Sequence, residues 1–143
     1  MRQPGSNMPT QKKKPFSFEK KPIAIAGREC LTLCNQIAAG MNKIYKYQLG
    51  TEICKCGSEL VSAIYLALDD MGYSQQKADD IKTINRKLIN LIVVVRVARD
   101  VNQVSQGHFE TIINKIVSIK TQAENWLSFI ERENEKQNAA ENQ

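Results

Sequence analysis

Proline stops early in this chain. All four, Pro4, Pro9, Pro15 and Pro22, lie within the first 22 residues, so nothing after Pro22 interrupts a helix by losing a backbone N–H. Glycine is scarce as well: from Gly72 to Gly107 neither residue occurs for 34 positions, too long for a strand and natural for a helix. No run approaches the roughly 18 apolar residues that a bilayer span requires. The opening "MRQPGSNMPTQKKKPFSFEKK" has no apolar core, so it reads as neither signal peptide nor membrane anchor. These absences predict a cytoplasmic protein without membrane contact, in which thiols stay reduced.

Chemistry-bearing residues are equally few. His108 is the only histidine, and its place near the start of a predicted helix suits a surface or capping role. No glycine-rich phosphate loop and no nucleophile elbow occurs. The pair Asp69–Asp70 in "ALDDMG" sits at a helix end, where two solvated carboxylates are the simplest reading. No enzyme activity, catalytic residue or cofactor is therefore expected.

What is present is amphipathic. The 143 residues suffice for one domain with a core of its own. We expect an all-α domain over residues 23–133, with a disordered basic tail at 1–22 and a polar tail at 134–143. Helix 1, about Ala26 to Tyr47, carries Cys30, Leu33, Cys34, Ile37, Met41 and Ile44 on one stripe. Helix 2, about Leu49 to Met71, does the same with Leu49, Ile53, Cys56, Leu60, Ile64 and Ala67. Helix 3 follows Ser74 as N-cap, and helix 4 follows Ser105. The run "LINLIVVVRV" has strand-like composition, but the helical spacing of Ile81, Ile84, Leu88, Leu91, Val95 and Ala98 continues through it. Short connections make an antiparallel up-down-up-down four-helix bundle the expected architecture. Between Leu88 and Ala98 only Asn90 and Arg96 are polar, so helix 3 has a second apolar face suited to another subunit.

The four cysteines fit this scheme without a metal. Cys54 and Cys56 point about 200° apart on a helix and cannot share one ion, and Cys30, Cys34 and Cys56 fall on core stripes. Cys54 falls on a flank with Val61, Tyr65 and Leu68, a second candidate subunit contact.

Charge is uneven. Residues 1–22 hold Arg2, Lys12, Lys13, Lys14, Lys20 and Lys21 against Glu19, which accounts for the whole net charge of +5. Such a tail suits either solubility or nucleic-acid binding. In the body, Lys43 and Lys46 close helix 1 and Lys55 lies on helix 2. Lys82, Arg86, Lys87, Arg96 and Arg99 lie on helix 3 with no acid between Asp80 and Asp100. On a helical wheel Lys82, Arg86 and Arg96 share an arc of about 80°. Repeated around an oligomer, these cations would form a surface for phosphates.

Three segments, "KIYKYQLGTEICKCGSELVSAIYLA", "ADDIKTINRKLINLIVVVRVARDVNQVS" and "HFETIINKIVSIKTQAENWLSF", resemble the accessory variability determinant (Avd) family of diversity-generating retroelements. The resemblance lies in the order of features: a basic-aromatic segment into Leu-Gly, the Arg96–Ala98 step, and a fourth helix ending in Trp126. It implies a homopentamer of four-helix bundles that binds RNA and DNA. Its partner would be the retroelement's reverse transcriptase, whose mutagenic cDNA synthesis it supports without catalysis of its own. Lys43, Lys46 and Arg96 match basic positions of the family. The chain departs from the family at Glu52, in lacking a proline before helix 2, and in its basic tail. The alternatives are a four-helix protein of the ribosomal RNA intervening-sequence type and an oligomeric scaffold that binds no nucleic acid.

Overall fold

The computed structural model describes residues 17–142. Among them there is no strand, and four long helices account for most of the chain: α1 (Pro22–Ala39), α2 (Thr51–Asp69), α3 (Gln75–Asp100) and α4 (Gln106–Glu141). Each packs on its neighbour in sequence, and α4 returns to α1 to close the ring. No helix among the described residues is long and apolar enough to cross a membrane.

The core follows the spacing. Ile81, Ile84, Leu88, Leu91, Val95 and Ala98 are all buried, alternating three and four residues apart as an inward helix face requires. Ile53, Leu60 and Ile64 from α2 and Ile112, Ile116 and Ile119 from α4 meet them, and Cys30, Cys34 and Ile37 complete the α1 side. The β-branched run is thus helical, because tertiary burial of one stripe outweighs its weak local preference for a strand.

Caps fix three of the boundaries. Ser74 Oγ accepts from the Lys77 N–H at 3.2 Å and Ser105 Oγ from the His108 N–H at 3.1 Å, each satisfying an amide of the first turn. Helix α3 ends with Asn102 at φ 60°, where the Asn102 N–H donates to Arg99 O and the Gln103 N–H to Ala98 O. This is the paired-bond helix terminus that usually employs glycine but tolerates asparagine. The Asn42 N–H donates to Gln103 Oε1 at 2.8 Å, so the α1–α2 and α3–α4 turns share one end of the molecule.

The boundary between the first two helices differs from expectation. Helix α1 stops at Ala39, Gly40–Asn42 form the break, and helical structure resumes at Lys43–Tyr45, passing through a π-helical stretch, Lys46–Gly50, into α2. Lys43 and Lys46 therefore open the second helix and do not close the first. Ile44, expected on the core stripe of helix 1, is 79% exposed as a result. Gly40 carried the signal, but amphipathic spacing on both sides concealed it.

Both ends of the domain also extend further than expected. Ser17–Lys20 form a 3₁₀ turn on the side of the bundle, with the Phe18 ring edge-on to Tyr65 at 5.4 Å. Arg28 Nη1 donates to Glu19 O at 3.0 Å and to Tyr65 Oη at 2.8 Å, bracing that turn. Pro22 then starts α1 at a position where its missing N–H costs nothing. At the other terminus, residues 134–141 continue α4, as befits a segment rich in Glu, Lys, Gln and Ala. Residues 1–16, including Arg2, Lys12, Lys13 and Lys14, lie outside the described residues.

Helices α1 and α2 approach closely at Gly57. A Cβ there would meet Cys34 Sγ at 2.9 Å and Leu31 Cδ1 at 3.0 Å. Gly57→Ala is expected to lower stability by about 1–2 kcal/mol in urea unfolding, because overpacking exceeds alanine's helix preference of about 1 kcal/mol. A variant more stable than the parent would show that the crossing relaxes freely.

Candidate nucleic-acid interface

Helix geometry sorts the expected basic residues into paired and unpaired groups. Lys82 Nζ lies 3.7 Å from Glu131 on α4, and Lys87 Nζ lies 3.4 Å from Glu59 on α2. Exposed pairs of this kind contribute only about 0–1 kcal/mol to stability, yet each sets a carboxylate beside the ammonium and lowers the local positive charge. Arg99 is occupied differently, donating to Val104 O at 3.4 Å and to Gln106 Oε1 at 2.6 Å, where it braces the α3–α4 turn.

Lys43, Lys46, Lys55, Arg86 and Arg96 are exposed, and none makes an ion pair among the described residues. Arg96 lies over the Phe109 ring at 5.6 Å, which holds the guanidinium against α4 without neutralising it. Because Asn42 and Gln103 are hydrogen-bonded, Lys43 and Lys46 share an end of the bundle with Arg96 and Arg99. Asp100 and Glu110 sit near that end too, so its charge is mixed. Lys20 and Lys21 are exposed near the start of α1. The ten expected positions among the described residues thus do not converge on one patch; they leave several cations at one end of mixed charge and scattered cations elsewhere.

Next to Lys46 a groove of about 470 Å³ runs along the π-helical stretch, lined also by Asn35, Ala38, Tyr47, Thr51 and Cys54. Tyr47 is 71% exposed beside it. Periodicity had not singled out this exposed aromatic, because the π turn shifts the register at which a helical wheel would place it.

The outer face of α3 carries the second notable arrangement. Arg86, Ile89, Asn90, Val93, Arg96 and Val97 are all exposed and follow one another at helical spacing. Ile89, Val93 and Val97 are 51%, 55% and 45% exposed, an apolar seam flanked by arginine. The Cys54 flank behaves otherwise. Tyr65 meets Phe18 and Arg28, and Val61 faces Gly27, so this side packs against α1 and the 3₁₀ turn of its own chain.

The thiols are placed for packing. Cys30 and Cys34 are fully buried, Cys56 is buried, and Cys54 is half-buried with Sγ 3.4 Å from Asn35 Oδ1. Burial pushes the Cys56 thiol up to about 11, with nearby Glu52 adding to the effect, and burial raises Cys54 as well. Cys34 is raised by its hydrogen bond to Cys30 and by burial, while that bond lowers Cys30. Three of the four are therefore held in the protonated form, which is a poor nucleophile and a poor metal ligand. Among the described residues no group of three or more His, Cys, Asp or Glu side chains is arranged to hold a metal ion. His108 is exposed in the first turn of α4, and Asp69 is exposed at the end of α2.

No protein-family model matches this chain, and no curated protein does.

Proposed function

We propose that this chain is a non-catalytic accessory protein of a diversity-generating retroelement. In this reading it binds template RNA and cDNA and associates with a reverse transcriptase in the cytoplasm. Its subunit is an up-down-up-down bundle, assembled as a homo-oligomer, a pentamer by family resemblance. Antiparallel order is supported by contacts whose positions run in opposite directions along neighbouring helices. Lys77 on α3 meets Asp70 at the end of α2, whereas Lys87 meets Glu59 a few turns earlier.

The observation that carries the reading is the exposed α3 face from Arg86 to Val97, where an apolar seam and two arginines without carboxylate partners occur together. Burying the seam between copies would repeat Arg86, Arg96 and the Lys43–Lys46 end around a ring, concentrating positive potential. Fluorescence anisotropy with a labelled single-stranded RNA at increasing salt tests it. Affinity should fall steeply and linearly on logarithmic axes, as counterion release requires. Binding that is absent or indifferent to salt would overturn the reading; with an oligomer retained, it would favour a scaffold. Co-purification with a reverse transcriptase from the neighbouring gene tests the partner.

A further inference from the structure

Near the start of α1 lies a half-open cavity of about 370 Å³, lined by none of the residues of the α3 face or the Lys43–Lys46 end. Its apolar walls are Phe18, Leu68 and Trp126 with the first turn of α1, and its polar lining is Lys21, Lys77 and Gln122. No carboxylate lines it. The volume is at the lower end of small-molecule sites, and the mixture of apolar wall and few polar groups is typical of them.

Lys77 is the unusual member. It is only 9% exposed, its Nζ donates to Asp70 O at 2.5 Å, and it lies 5.2 Å from the centre of the Trp126 ring. Burial works against its charge, while the Asp70 and Asp80 carboxylates favour it. An ammonium has three donors, and the Asp70 carbonyl takes one. Lys21 adds a second cation from the exposed N-terminal side of α1. A desolvated ammonium beside aromatic and aliphatic walls, with no acid in the lining, is complementary to a small anion that carries an apolar body.

We propose that this cavity binds a medium-chain carboxylate, its hydrocarbon on Phe18, Leu68 and Trp126 and its carboxylate on Lys77, with Lys21 and Gln122 assisting. For so small a ligand the dissociation constant should be on the order of 0.1–1 mM. Trp126 is the chain's only tryptophan, so its indole N–H resonance reports the cavity without assignment ambiguity.

The test titrates the full chain with sodium octanoate and, separately, with octan-1-ol. Octanoate should shift the indole resonance saturably, with octanol at least ten-fold weaker. Lys77→Met should remove that preference, and Lys21→Gln, a change at an exposed side chain, should weaken octanoate about three-fold. Equal affinity for acid and alcohol, an absent shift, or octanoate binding unchanged in both variants would overturn the proposal. Should Lys77→Met fail to fold, the acid-over-alcohol preference and Lys21→Gln decide it alone.

Discussion

Val93→Glu is expected to reduce the proposed oligomer to monomers at micromolar concentration, read as mass by light scattering on a sizing column. Val93 lies at the centre of the α3 seam, one helical turn from both Ile89 and Val97, and about half of each side chain still faces outward. Completing the burial of each would add roughly 1 kcal/mol per copy. A glutamate there forfeits Val93's share and places a carboxylate against a desolvated surface. The cost is several kcal/mol, more than about 100-fold in association. The fold should survive, because the side chain points away from the core: helical circular dichroism should be unchanged. Val93→Ala, which removes apolar area without adding charge, should weaken assembly only about five-fold. A wild-type monomer, or an unaltered mass for Val93→Glu, would remove the α3 face from the assembly.

Replacing Lys43 and Lys46 together by glutamine should cost about 25-fold in affinity for single-stranded RNA at about 0.1 M salt. Each phosphate contact contributes about 0.7 to the slope of log affinity against log salt, so losing two should flatten that slope by about 1.4. Both residues are exposed on the opening turns of the second helix and neither is held by a carboxylate. The matched control, Lys82→Gln with Lys87→Gln, removes the same formal charge from ammoniums already paired with Glu131 and Glu59. Its effect should be only a few-fold. An unchanged slope for the Lys43/Lys46 variant would place the phosphates elsewhere, and a larger loss in the control would move them to the flanks of α3.

The cysteines illustrate how far local reasoning reaches. Their angular separation on a helix was enough to disfavour a shared metal ion, and Cys30, Cys34 and Cys56 are indeed core residues. The same reasoning sent Cys54 toward a subunit contact, whereas its thiol faces α1 beside Asn35. A wheel gives the direction of a side chain but not the identity of the element that lies there. The π-helical stretch adds a second limit. The break at Gly40–Asn42 moved Lys43, Ile44 and Lys46 from the first helix to the second, and the π-helical stretch then shifted the register around Tyr47, while the register from Ile53 onward held.

Helix identity, the inward stripes and the caps at Ser74 and Ser105 were decided locally, by spacing of three and four residues and by side-chain oxygens within reach of nearby amides. The fate of each charge was not local. Lys82 is paired with Glu131 and Lys87 with Glu59, partners separated along the chain and brought together only by the order of helices around the ring. The same holds for Lys77, whose burial depends on Trp126 from α4 and on the end of α2. Periodicity constrains one helix at a time, whereas the electrostatic environment of a side chain depends on what the neighbouring helix presents. In this protein the inward helix stripes could be read residue by residue apart from the break at Gly40–Asn42, and the distinction between a free cation and a paired one required the helices to be packed.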